Sequence, residues 1–154
     1  MSNLVQKYRL KYLKSTNGLL LVSAFVIIRT IFFLFGNEHM IYLLEINRMT
    51  NLLGVFVSSY AKFLGPIVDV SMSLVISVMI FLLWKESQKG RIKFFIAFVA
   101  FYFLDMFLYF YSYDVISFLI HFVFLSYMVF GIIYYKKMYV EYLFSKNNKK
   151  EEEQ

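Results

Sequence analysis

The stretch that decides the fold is Gly18 to Phe35, GLLLVSAFVIIRTIFFLF. At about 1.5 Å per residue, a helix of this length can cross the hydrocarbon of a bilayer. Apart from Arg29, its most polar residues are Ser23 and Thr30. A guanidinium at that depth costs about 2.5–3.5 kcal/mol on insertion scales, so we expect Arg29 to face a partner rather than lipid.

The composition extends this conclusion to the whole chain. Apolar residues make up 60% of its 154 residues, and the mean hydropathy of +0.64 lies well outside the soluble range. Long apolar runs recur from end to end, which predicts an all-α integral membrane protein with one domain and about four spans. The chain has no cysteine, which excludes disulfides, cysteine–zinc sites and thiol nucleophiles.

Four apolar runs are predicted as transmembrane helices within a membrane domain at 18–137. They are the first span (18–35), the second (67–84), the third (94–111) and the fourth (116–135). Pro66 suits the first turn of the second span. Residues 1–17 form a basic cytoplasmic tail or a helix on the membrane surface, and both readings stay open. Residues 138–154 are predicted as a second cytoplasmic tail, disordered at its polar end.

The segment between the first two spans, residues 40–64, is predicted as an amphipathic interfacial helix. Its apolar residues follow i, i+3, i+4, i+7 spacing: Met49, Leu52, Leu53, Phe56, Val57, Tyr60, Phe63 and Leu64. Four polar residues lie off that stripe, namely Asn51, Ser58, Ser59 and Lys62. A re-entrant segment and a full span are the alternatives, since few strong charges interrupt it.

The positions of the basic residues predict the orientation. All lysines and arginines except Arg29, Arg48 and Lys62 lie before residue 18, between 85 and 93, or after 135. By the positive-inside rule both termini are cytoplasmic, which requires an even number of spans and favours four. This clustering beside apolar runs also argues against nucleic acid as the reason for the net charge of +6. We therefore expect a multi-pass protein of the cell (plasma) membrane, and the richness in Lys, Asn, Ile and Phe favours a bacterial source.

Each predicted span carries one ionisable side chain, and the four are predicted to share one layer. Counted from the basic edge at about 1.5 Å per residue, Arg29, Asp69, Asp105 and His121 all fall roughly 18–22 Å deep. Supporting polar residues are Ser73, Ser77 and Ser117, of which the first two share a helix face with Asp69. Four isolated charges facing lipid would cost far more than four facing one another.

Three interpretations of this layer remain open. In the structural one, Arg29 pairs with Asp69 or Asp105 and fixes how the helices assemble. In the functional one, the layer lines a water-accessible cavity that binds an ion, a proton or a polar headgroup, and His121 makes it pH-responsive. In the third, the predicted boundaries are wrong and some of these groups snorkel to the interface.

The sequence favours a small non-catalytic membrane protein that acts as a subunit, scaffold or sensor in a membrane complex. A small oligomeric channel or transporter, with the layer as its polar path, is the alternative. The third reading is a membrane enzyme acting on a lipid-linked substrate, with Asp105 and His121 as acid and base. No nucleophile–base pair and no phosphate-binding glycine loop is legible, so we do not expect catalysis or a cofactor. With only two histidines, a metal site is not expected either.

The expected partners follow from the same features. The lipid bilayer surrounds the spans, and other membrane proteins or further copies of the chain could pack against them. The basic cytoplasmic edge would attract anionic lipids at about 1 kcal/mol per basic residue.

Overall fold

The computed structural model describes residues 3–35, 44–112 and 115–152, and within these ranges it is helical and contains no strand. It has the helices α1 (Asn3–Leu34), α2 (Glu45–Ser58), α3 (Leu64–Gln88), α4 (Ile92–Ser112) and α5 (Val115–Glu152). Four of them, α1, α3, α4 and α5, are long and apolar enough to cross a bilayer. This confirms the prediction of an all-α chain with four helices that are long and apolar enough to span a membrane.

Two of the helices extend well beyond the spans predicted for them. With 32 and 38 residues, α1 and α5 are about 48 and 57 Å long, against about 30 Å of hydrocarbon. Residues 3–17 thus continue the first span without a break instead of forming a separate tail or surface helix. The polar end of the chain is helical to Glu152, where the sequence predicts disorder. Its lysines and glutamates are good helix formers, and a helix already nucleated by α5 propagates into them at little cost.

The four long helices pack as a ring, in the order α1, α3, α4, α5 and back to α1. Short connections make α3, α4 and α5 successively antiparallel, and Gly90, with φ of 80°, supplies the turn between α3 and α4. The buried core runs along the inside of the ring and consists largely of Leu19, Val22, Val26, Phe95, Phe98, Tyr102 and Met128.

One end of the ring, which we call the basic end, joins all four long helices around Tyr12. The Tyr12 ring packs edge-on against Phe95 of α4 and Tyr135 of α5, and its hydroxyl donates to the Ser87 carbonyl of α3 at 3.0 Å. These contacts explain why residues 3–17 stay helical beyond the apolar run. They also place the predicted basic segments of α1, α3, α4 and α5 at the same end of the molecule.

At the opposite end of the ring, α2 lies against α3 and reaches α4. Gly54 and Gly65 allow this close approach, since a Cβ on Gly65 would lie 2.4 Å from the Gly54 carbonyl oxygen. Thr50 and Gly54 face the bundle and are buried. The apolar stripe predicted from the sequence points away from it, with exposed Met49, Leu52, Leu53 and Phe56. A helix therefore occupies residues 45–58 of the predicted segment, whose residues 40–43 lie outside the described ranges, but its small and polar side makes the packing contacts.

Candidate functional site

The first half of the predicted layer is an ion pair between α1 and α3. Arg29 Nη1 lies 3.4 Å from both carboxylate oxygens of Asp69, and the two side chains are only 3% and 0% exposed. Arg29 reaches this position because it shares the inward face of α1 with Val22 and Val26, which are buried in the core. Its guanidinium also lies over the Phe33 ring, at 5.2 Å from the centroid. Of the two acids proposed from the sequence, Asp69 is the one beside Arg29.

The second half joins α4 to α5 through Asp105 and His121. His121 Nδ1 lies 3.9 Å from Asp105 Oδ2, and both side chains are buried. On its other side, His121 Nε2 is 2.6 Å from the Tyr102 carbonyl oxygen. A carbonyl can only accept, so Nε2 carries a proton and donates it. The ring is held in this orientation by Tyr102, which stacks on it at 3.6 Å, and by Tyr109, which meets it edge-on at 5.1 Å.

The helix α2 connects the two pairs. Thr50 Oγ1 donates to Asp69 Oδ1 at 3.2 Å, and the backbone N–H of Ile46 donates to Asp105 Oδ1 at 2.9 Å. Ile46 and Thr50 are one helical turn apart on the same side of α2. The N–H groups of a first helical turn have no partner within the helix and carry partial positive charge, which suits a carboxylate. Each acid of the layer is thus bonded to α2 and also faces a basic side chain.

The serines named from the sequence are buried on the same inner surfaces. Ser77 of α3 meets Ser23 of α1 with 2.7 Å between the hydroxyl oxygens, and each hydroxyl also lies within hydrogen-bond distance of the other residue's carbonyl oxygen. Ser73 and Ser117 are each 1% exposed. Small side chains of this kind allow close helix contact, as at Ser23 and Ser77 between α1 and α3.

Sequence reasoning missed the two donors that α2 supplies. Thr50 carried a detectable signal, because it is a polar residue four positions before Gly54 on the side of α2 opposite the apolar stripe. Ile46 carried none, because its contribution is a backbone N–H. Tyr102 was also missed, and its role comes from ring stacking. Within the described ranges its hydroxyl is buried without a hydrogen-bond partner, which indicates that the position is set by the ring rather than by the hydroxyl.

Asp105 therefore has two separable roles, and two substitutions should distinguish them. Asp105→Asn keeps an oxygen that can accept from the Ile46 N–H, whereas Asp105→Ala leaves that N–H without an acceptor. We expect Asp105→Ala to lower the free energy of unfolding by about 1–3 kcal/mol more than Asp105→Asn does. Amide hydrogen exchange at Ile46 should be faster in the alanine variant only. Equal exchange in the two variants would show that Asp105 does not hold the start of α2.

Burial limits the chemistry that the four ionisable side chains of the layer can perform. Arg29, Asp69, Asp105 and His121 are at most 3% exposed, and the basic and acidic groups face each other. Among the described residues, no group of three or more His, Asp or Glu side chains is placed to hold a metal ion.

Comparison of the chain with protein-family models, with curated proteins and with solved structures finds no match.

Proposed function

We propose that the chain is a small non-catalytic membrane protein that acts as a subunit or scaffold in a membrane complex. The observation that carries this proposal is that the layer joins all the helices: Arg29 pairs with Asp69, His121 lies beside Asp105, and α2 donates hydrogen bonds to both acids. Buried polar pairs of this kind are best attested as devices that specify register and assembly. All five helices contribute to the layer. The layer therefore fixes how the helices are arranged, and with them the surface that the bundle presents to a partner protein.

The location and orientation belong to the same proposal. The basic end carries Lys7, Lys14, Lys85, Arg91 and Lys137, all exposed, which supports placing it in the cytoplasm by the positive-inside rule. Both termini are then cytoplasmic, and α2 lies at the outer face of a bacterial plasma membrane. The parts of α1 and α5 beyond the hydrocarbon project into the cytoplasm as a helical pair, which suits contact with other components of a complex.

A channel or transporter would use the layer differently. Ions or protons would need an open path past Arg29 and Asp69, whose charged groups are bonded to each other and are nearly fully buried. An enzyme would need Asp105 or His121 to reach a substrate, and the His121 ring is enclosed by Tyr102 and Tyr109. Neither alternative has an observation in its favour that the scaffold lacks.

Flux and partner measurements together test the proposal. We expect the purified full chain in liposomes to leave proton and potassium permeability at the level of empty vesicles, with a known channel as the positive control. In the native membrane, we expect cross-linking to retain one partner at fixed stoichiometry, also when the partner carries the purification tag. Ion flux that disappears in Arg29→Gln would replace the scaffold with a channel. Failure to recover any stoichiometric partner by either tag would overturn the subunit role.

A further inference from the structure

An apolar groove runs between α4 and α5 on the outside of the ring. Its volume is about 560 Å³, and its wall includes Ile96, Ala100 and Phe103 of α4 with Phe122, Val129 and Ile133 of α5. Ser126 is the one residue of the lining with a polar side chain. The groove lies on the surface of two membrane-spanning helices, so a ligand that fills it must be apolar.

The groove is about as long as one leaflet of a bilayer. Phe122 and Ile133 are eleven residues apart on α5, which corresponds to about 16 Å. Half of a hydrocarbon core that is about 30 Å thick is about 15 Å. Ile96 lies in the second turn of α4, and Ile133 lies just before Lys136 and Lys137. The groove therefore begins near the basic end and runs along α5 as far as Phe122, beside His121 of the ionisable layer.

At that end the groove opens onto lysines. Lys93 lies three residues before Ile96, and Lys136 and Lys137 lie three and four residues after Ile133, so each continues a face that lines the groove. Ile133 also lines a second recess, of about 540 Å³, together with Lys136, Lys137, Tyr8, Val140 and Glu141. The groove and this recess, which lies between α1 and α5, therefore adjoin at Ile133, and the recess has two lysines and one acid in its lining.

We propose that the groove and the recess together bind one anionic glycerophospholipid from the leaflet at the basic end. One acyl chain lies along the α4–α5 groove, and the phosphate lies at Lys136 and Lys137 with Lys93 on the facing helix. Basic pockets between transmembrane helices are a recognised way of binding anionic headgroups. This site is independent of the proposed scaffold role.

The change in surface chemistry along the groove favours a lipid over a protein occupant. A partner helix or a second copy of the chain that packed along the groove would contact an apolar surface for about the length of one leaflet and then a cationic surface at the basic end. A phospholipid matches this sequence of environments, since its chain is apolar over one leaflet and its phosphate is negative at the interface. Three lysines, Lys93, Lys136 and Lys137, and one acid, Glu141, give the basic end of the groove a net positive charge. This charge favours an anionic headgroup over a zwitterionic one.

The headgroup half is tested by native mass spectrometry of the full chain with phosphatidylglycerol and with phosphatidylcholine of the same chains. We expect phosphatidylglycerol to bind more tightly, and the double variant Lys136→Gln/Lys137→Gln to weaken its binding roughly tenfold to thirtyfold while phosphatidylcholine changes little. The matched control is Lys7→Gln/Lys85→Gln, which removes two exposed lysines on α1 and α3. Equal losses in the two double variants would show only a general attraction to basic charge and would overturn the site.

The chain half is tested by filling the groove. Ala100→Phe places a ring inside it, whereas Ala97→Phe places the same ring on an exposed position of α4 outside the lining. We expect Ala100→Phe, but not Ala97→Phe, to lower phosphatidylglycerol affinity by about tenfold or more, with helical content unchanged by circular dichroism. Ala100→Leu fills less of the groove and should therefore give a smaller loss of phosphatidylglycerol affinity. If Ala100→Phe changes the oligomeric mass and leaves lipid binding intact, the groove is a protein contact and the proposal is wrong.

Discussion

Replacing Asp69 with leucine should lower the free energy of unfolding by about 3–5 kcal/mol, the range for removing one partner of a buried ion pair. The reason is the Arg29 guanidinium, which is 3% exposed and would keep its charge without a counter-charge at 3.4 Å. Thr50 would lose its acceptor at the same time, which loosens α2. The measurement is equilibrium unfolding of the full chain in bicelles.

The double variant Arg29→Met/Asp69→Leu separates the loss of the Asp69 counter-charge from damage to the core. Replacing both members of a buried pair by apolar residues of similar volume is often neutral or stabilising, so we expect it to recover most of the loss. Ser71→Leu serves as the control, because Ser71 is exposed on the same helix. A double variant as unstable as Asp69→Leu alone would show that Arg29 and Asp69 do not depend on each other.

The second large effect is expected at Gly65, where α2 crosses α3. In Gly65→Ala the new Cβ would lie 1.7 Å from Ser58 Oγ and 2.4 Å from the Gly54 carbonyl oxygen. The Ser58 hydroxyl can rotate away, but the Gly54 carbonyl belongs to the backbone, so α2 must move off α3. We expect the free energy of unfolding to fall by about 1–3 kcal/mol, the usual cost of overpacking.

Hydrogen exchange reports that displacement directly. Exchange of the Ile46 amide should become faster in Gly65→Ala, because α2 would be drawn away from Asp105. The control is Gly18→Ala, whose Cβ would lie 3.1 Å from Cγ of Met128, a flexible side chain that can yield. Equal exchange at Ile46 in the native chain and in Gly65→Ala would mean that the close contact between Gly54 and Gly65 does not hold α2.

The spans could be predicted because each is determined locally. The run from 18 to 35 must be a helix in lipid, whatever its neighbours are, since its backbone groups have no other partner there. The same holds for the runs of α3, α4 and α5. For residues 3–17 the sequence leaves a tail and a surface helix open, because the continuation of α1 through them is fixed by the contacts of Tyr12 with three distant residues, which no local pattern reveals.

The candidate site was predictable in its members but not in its pairing. Counting residues along each helix gives depth, which is why Arg29 and Asp69 could be assigned to one layer. It does not give the order of helices around the ring, so it cannot choose between Asp69 and Asp105 as the partner of Arg29. Nor does it reveal Ile46, since a backbone N–H is present at nearly every residue. That contact exists only because α2 begins at Glu45, which puts the Ile46 N–H in its first turn.

The spacing of the Arg29–Asp69 pair along the chain has a consequence for biogenesis. Asp69 follows Arg29 by forty residues, so in a chain synthesised at about 5–20 residues per second the acid is made about 2–8 s after the arginine. If helices enter the bilayer in that order, α1 enters with an unmatched charge that costs about 2.5–3.5 kcal/mol until α3 arrives. The first helix is therefore the one that most needs the insertion machinery to hold it until the third is in place.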